Sequence, residues 1–176
     1  MSKKVLDLIK KNNVKYVDLR FTDPRGKWQH TAQTAHTITA DTFQNGIMFD
    51  GSSIAGWKSI DKSDMMLMPD PETAVMDPFT AQPQLVLFCD VLEPISREPY
   101  NRDPRSVAKK AEAFLKKSGI GDKAYFGPEA EFFVFDDVRF DVSMNHTFYK
   151  VNQEEFKKEK LTLIKEIKKY GEVIYG

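Results

Sequence analysis

Apolar residues near the N-terminus recur at Val5, Leu8 and Ile9, a spacing that predicts a short amphipathic helix with one apolar face. From residue 14 to residue 21 the period changes to two. Val17, Leu19 and Phe21 fall on one side and Val14, Tyr16, Asp18 and Arg20 on the other, the pattern of a half-buried strand. TDPRGK then reads as a turn, with Pro24 fixing one dihedral and Gly26 supplying an unusual one. WQHTAQTAHTI, rich in β-branched threonine, returns as a second strand and completes a hairpin.

Thr39 or Asp41 can cap one short helix that ends at Gly46. The stretch GIMFDGSSIAGWKSIDKSD follows, about twenty residues without clean periodicity, and a loop of that length inside a compact domain is usually functional or mobile. MMLMPD, ETAVMDPF and PQLVLFCDVL give three strand candidates separated by prolines, with LVLFCDVL the most apolar and the best candidate for the sheet centre. EPISREPYNRDP reads as a connection. Asp103 followed by Pro104 is a helix start, and that helix should turn Val107, Ala111, Phe114 and Leu115 inward before Gly119 ends it. KAYFG and EAEFFVFDDVRF are expected to be two more strands. The whole is an α+β fold, with a small domain over 1–102 and a second, sheet-containing domain opening at 103.

The totals narrow the function classes. Among 176 residues, Lys+Arg and Asp+Glu are equal at 26 each, so no basic face is available for nucleic acid or an anionic membrane. No apolar run approaches the length needed to span a bilayer. The N-terminal stretch has charges but no signal-peptide core, and a single cysteine, Cys89, suits a reducing compartment, so a cytoplasmic location is expected.

Two stretches carry candidate chemistry. In GPEAEFF, Glu129 and Glu131 sit two apart in an aromatic run, so on a strand they share a face. Like charges side by side repel, and a hard divalent cation beside them removes that cost; Mg²⁺ and Mn²⁺ prefer carboxylate oxygen. The same pattern also fits an exposed edge strand with two solvated glutamates, or one glutamate paired with Arg139 or a lysine. In FDGSSIAGW, glycines and serines surround Asp50, a lone carboxylate that can hold a cation or take a proton. Asp-Gly-Ser-Ser is equally a generic turn composition. His30 and His36 read as surface residues of the threonine-rich strand, and His146 has no partner at metal spacing.

Taken in order, VDLRFTDPRGK, MFDGSSIAGW, DMMLMPDPETAVMDPF, LVLFCDV, YNRDPRSVAKKAE and GPEAEFFVFDDVRF resemble bacterial type I glutamine synthetase over residues 1 to about 153. The resemblance implies a β-grasp domain over 1–102, followed over 103–153 by the start of the partial-barrel catalytic domain. It implies ATP-dependent ligation of ammonia to glutamate through γ-glutamyl phosphate, with two Mg²⁺ or Mn²⁺ ions. Glu129 matches a ligand of the metal that contacts the nucleotide phosphates, and Glu131 a ligand of the metal nearer glutamate. Asp50 matches the residue that binds ammonium and helps deprotonate it, with Ser53 beside it. In the family the small domain completes the site of a neighbouring subunit within a double ring of twelve.

Past Glu154 the sequence FKKEKLTLIKEIKKYGEVIYG turns lysine-rich, with Phe156, Leu163, Ile164, Ile167 and Tyr170 at the spacing of an amphipathic helix, and no resemblance is evident in it; the segment 154–176 reads as a divergent tail from a frameshift, a shortened gene or a sequence error, the alternative being a genuine C-terminal cap on a shortened protein. The family's remaining metal ligands, substrate-binding arginines, flap and adenylylated tyrosine lie beyond that point. The expectation is therefore that these 176 residues do not make glutamine unaided. The alternative is a non-catalytic interaction module that associates with full-length subunits.

Overall fold

The computed structural model describes residues 1–152. The chain divides into two compact units, one from Met1 to Tyr125 and one beginning at Phe126.

The first unit opens with helix α1, Ser2–Lys11, which buries Val5 and Ile9 as its spacing predicts. Strand β1, Tyr16–Thr22, and strand β2, Trp28–Thr34, form the expected hairpin and pair in antiparallel register from Tyr16 opposite Thr34 to Thr22 opposite Trp28. The turn between them is built by one carboxylate. Asp23 Oδ1 accepts from the amides of Arg25 and Lys27, its Oδ2 accepts from the Gln29 side chain, and Gly26 takes φ of +82°. Helix α2, Ala40–Asn45, starts at Thr39, whose amide donates to the Thr42 hydroxyl, and stops at Gly46. Strand β3, Ile47–Asp50, pairs antiparallel with β4, Asp64–Pro69. Strand β5, Val75–Met76, and strand β6, Gln84–Leu92, complete the sheet.

The sheet order is β2–β1–β6–β4–β3, with β5 also on β6. β6 is the organiser. Residues 84–88 run parallel to β1, and residues 89–92 run antiparallel to β4. Leu85, Leu87, Cys89 and Val91 all point into the core with Val17, Leu19, Leu67, Val5 and Ile9. Each fully buried leucine contributes about 2 kcal/mol of transfer free energy. LVLFCDVL thus takes the central place its composition predicts.

Four expectations need correction. The stretch 46–64 is not one long loop. Ile47 and Phe49 turn inward while Met48 and Asp50 turn outward, a true period of two that is only four residues long. β1 is not cleanly half-buried, because Asp18 is only 2 % exposed on its polar face. Arg20 Nε donates to Asp18 Oδ2 at 2.7 Å, and His30 Nδ1 lies 2.7 Å from Asp18 Oδ1. Arg20 also reaches Asp77 at 2.9 Å, so the cation roofs a buried acid that would otherwise be costly.

Helix α3, Pro104–Ser118, begins and ends where the cap residues predict, but Val107 and Phe114 are 52 % and 70 % exposed and Ser106 is its buried residue. Its first turn, not its apolar stripe, makes the attachment: Asp103 takes the amide of Val91 in β6, and Arg105 pairs with both Asp70 and Asp90. Finally, 123–135 forms neither a helix nor a strand. A strand needs a neighbour to accept its amides, and the regular structure described in the second unit is one hairpin, β7 (Asp137–Val142) with β8 (Thr147–Asn152). β8 went unpredicted. The Lys-rich tail proposed for 154–176 lies outside the described residues.

Candidate functional site

Asp50 closes β3, opposite Asp64 of β4. Directly after it the amide of Gly51 donates to the Ser63 carbonyl at 2.7 Å, so the segment between is a loop with joined ends. Closure demands glycine there, since a Cβ on Gly51 would stand 2.5 Å from Met65 Cγ. Within the loop a single 3₁₀ turn, Gly51–Ser53, begins at Asp50. The backbone amide and hydroxyl of Ser52 both donate to Asp50 Oδ1, at 2.8 and 2.7 Å. Ser52, through its hydroxyl first and its amide second, holds the Asp50 carboxyl below its ordinary value, and the Ser63 side chain adds to the effect. Asp50 itself remains exposed, and so does Ser53. The carboxylate therefore serves the turn and still faces solvent, so the two readings of this stretch coexist in one geometry.

The loop is fastened to the core by Ile54 and Trp57, which are 7 % and 6 % exposed. Trp57 lies in an aromatic cluster, 5.5 Å from Phe21, 6.2 Å from Phe49 and 5.4 Å from Tyr100 between ring centres. Its indole N–H is buried and has no acceptor among the described residues.

In the second unit Glu129 and Glu131 are exposed and lie outside regular secondary structure, so the shared strand face expected of them is absent. Arg139, one candidate partner for them, is instead paired with Asp137 at 2.7 Å. Their oxygens suit a hard divalent cation in kind. In number they fall short, because no cluster of three or more His, Cys, Asp or Glu side chains able to hold a metal occurs among the described residues. Of the histidines, His36 is exposed and His146 rests 5.5 Å from the Phe148 ring. His30 is exposed too, yet it is tied to buried Asp18, a link that required knowing the register of β1 on β2.

A mixed sheet around one parallel β1–β6 pair, with α1 packed on it and a loop closed at β3, defines this first unit as a β-grasp domain. A family model described as the glutamine synthetase β-grasp domain matches residues 13–94, and one described as the glutamine synthetase catalytic domain matches residues 101–173. The glutamine synthetase of Azospirillum brasilense is 64 % identical over 152 residues, covering 86 % of this chain and 32 % of that protein. That of Aquifex aeolicus is 56 % identical over 151 residues, again covering 86 % and 32 %. Among solved structures, a Plasmodium falciparum glutamine synthetase superposes with a TM-score of 0.67 at 26 % identity, over 88 % of this chain and 30 % of that one. The chain belongs to the glutamine synthetase family. It spans about a third of the length of the curated relatives it matches. The catalytic-domain match runs to residue 173, past the point near 153 where the sequence reading placed the end of the resemblance.

No helix among the described residues is long and apolar enough to cross a membrane.

Proposed function

We propose that this chain supplies the β-grasp domain and the opening of the catalytic domain of a cytoplasmic glutamine synthetase, which joins ammonia to glutamate at the expense of ATP. The observation that carries the reading is the closed loop after β3, which presents an ionised, solvent-facing Asp50 inside a chain of this family. In this role Asp50 binds ammonium and orients it, with Ser53 on the same turn. A carboxylate held below its ordinary value binds a cation well and takes a proton poorly. Asp50 thus contributes first by holding ammonium, and the proton that ammonium must lose before its nitrogen attacks passes to the exposed Asp50 carboxylate and from there to solvent.

Glu129 and Glu131 supply one carboxylate each toward two Mg²⁺ or Mn²⁺ sites, Glu129 on the nucleotide side and Glu131 on the glutamate side. When bound, such ions neutralise charge on a transferring phosphoryl group. One carboxylate per ion does not hold Mg²⁺ in water, because Mg²⁺ gives up its hydration reluctantly. A polypeptide of these 176 residues therefore makes no glutamine unaided, and its site is completed by further catalytic-domain residues and by neighbouring subunits in a ring of twelve. The boundary between its domains falls at about residue 102.

The test is a chimera in which residues 1–152 replace the corresponding third of the Azospirillum brasilense enzyme. Glutamine formation from glutamate, ammonia and ATP should survive the exchange. Asp50→Asn in the chimera should then lower turnover by about 10²-fold or more. Glu129→Gln and Glu131→Gln should each raise the Mn²⁺ concentration needed for activity. Full turnover by the Asp50→Asn chimera refutes the role given to Asp50.

A second reading rests on the exposed aromatic run Tyr125, Phe126, Phe132 and Phe133, 60 to 89 % exposed, which is unusual in a polypeptide that stands alone. As a non-catalytic module the chain would bind full-length subunits, and co-elution with an intact synthetase would reveal it.

A further inference from the structure

The loop over 51–63 is irregular, and its core anchors, Ile54 and Trp57, both lie in its first half. Beyond Trp57 the chain passes an open cavity of about 780 Å³, lined on one side by Lys58, Ile60 and Asp64 and on the other by Glu93 and Ile95 of the connection after β6. Ile60 and Ile95 are 86 % and 97 % exposed, so apolar packing does not close this gap. Two cationic side chains do link loop and connection. Lys58 Nζ donates to both oxygens of Glu93, at 2.7 and 2.9 Å, and sits 5.1 Å from the centre of the Tyr100 ring. Arg102 donates to the carbonyl of Gly56, a residue whose φ of +83° turns the chain at the loop's tip.

The connection that receives these links is itself fixed. Tyr100 is 4 % exposed, its amide donates to the Val91 carbonyl at 2.9 Å, and its ring packs on Trp57. Three residues on, Asp103 is fully buried and bonded to the Val91 amide. Glu93, Tyr100 and Arg102 thus form a rigid edge built on β6, the strand that also organises the sheet.

We propose that Lys58 and Arg102 are positioning residues for the loop that carries Asp50 and Ser53. They act as a clamp from the β6–α3 connection, and neither touches the reacting groups. The proposal rests on the role given above to Asp50, because a held loop matters to the reaction only if Asp50 takes part in it. Its physical content is separate: an irregular loop with few packed side chains keeps one conformation only while its exposed links hold. Without them the hydrogen bonds from Ser52 to Asp50 loosen as well.

The experiment is amide hydrogen exchange on the whole chain, compared with the variant carrying Lys58→Met and Arg102→Met together. The amides of Ile54, Trp57 and Lys62, bonded within the loop at 3.1 to 3.2 Å, should exchange about tenfold faster in that variant. Amides of β1 and β6 should be unchanged. The Asp50 carboxyl, followed by carbon NMR, should titrate closer to its ordinary value. The charge-reversed pair Lys58→Glu with Glu93→Lys should restore slow exchange, which a purely space-filling role for Lys58 would not allow. Loop exchange that stays slow in the double variant overturns the proposal, as does an increase spread evenly over the sheet, or no recovery in the reversed pair. These readouts do not depend on glutamine formation, so a clamp that passes beside an Asp50→Asn chimera that keeps full turnover would reject the catalytic reading and leave the clamp standing.

Discussion

Replacing Asp103 by alanine should cost this fold more than any surface change of similar size. Asp103 is 0 % exposed, and its oxygens cap its own helix and reach across to β6. Oδ1 accepts from the amide of Arg105 at 3.2 Å. Oδ2 accepts from the amide of Ser106 at 3.1 Å, the hydroxyl of Ser106 at 2.6 Å and the amide of Val91 at 3.3 Å. Loss of the helix cap alone removes about 1 kcal/mol. Alanine also leaves the Val91 N–H and the Ser106 O–H buried without an acceptor, at about 1 to 3 kcal/mol each. The sum is about 3 to 7 kcal/mol against a typical domain stability of about 5 to 15 kcal/mol, so the variant should sit at or near its limit. Urea unfolding followed by tryptophan emission reads it directly, since Trp57 is buried in the same unit. At a slope of about 2 kcal/mol per molar, the midpoint should fall by about 1.5 to 3.5 M. Asp103→Asn, which keeps one acceptor oxygen for the cap, should recover part of the loss. A midpoint shift under about 0.5 M for the alanine variant would refute the claim that this carboxylate joins α3 to β6.

Two further perturbations bear on the Asp50 loop. Gly46 has φ of +73° and ψ of −170°, a region open essentially to glycine, and an added Cβ would stand 2.7 Å from the Leu67 carbonyl oxygen. Gly46→Ala should therefore destabilise by about 2 to 4 kcal/mol and weaken β3 on β4, measurable as a lower thermal midpoint and faster exchange at Phe49. Ser52→Ala should raise the Asp50 titration midpoint toward the ordinary 3.8, because the Ser52 hydroxyl is the largest cause of its lowering. With a lowered folded-state value, the contribution of Asp50 to stability is present above the unfolded-state value and is lost as pH falls through the folded one, so Ser52→Ala should be less stable than wild type by a constant amount near neutrality, and the two stability curves should converge below about pH 4; a gap that persists undiminished in acid would contradict the assignment.

Local signals survived the step from sequence to structure where one residue type decides the outcome. Pro104 after Asp103, Gly119 after Ser118 and the Pro24–Gly26 turn each act through their own backbone chemistry, so α3 and the first hairpin fall where expected. LVLFCDVL was legible because only a central strand buries so many consecutive apolar residues. The errors share a different cause. Val107 and Phe114 on α3 have the spacing of a core face but are exposed, because periodicity states which residues share a side and not whether anything lies against it. Glu129 and Glu131 have the spacing of a strand but no ladder, for the same reason: a strand is made by its neighbour. Asp18 was placed on the polar face, and the cation that covers it, Arg20, is two residues away in sequence, while its other partner, His30, and the second acid on Arg20, Asp77, required the sheet register.

The candidate site divides along the same line. Asp50, Gly51 and Ser52 form a turn whose chemistry is complete within three residues, so a short motif could announce it. The grip on that turn is not local. Lys58 finds Glu93 thirty-five positions away, and Arg102 finds Gly56 forty-six positions away, across a gap that neither hydropathy nor spacing records. The carboxylate to which we assign a role in the reaction can therefore be read from a few letters, while the residues we propose to hold its loop become visible only when β6 has brought the two segments together. On the proposed roles, that asymmetry predicts where unexpected losses of activity should arise in the chimera: at Lys58, Glu93 and Arg102, whose links run to the loop and not to Asp50 itself.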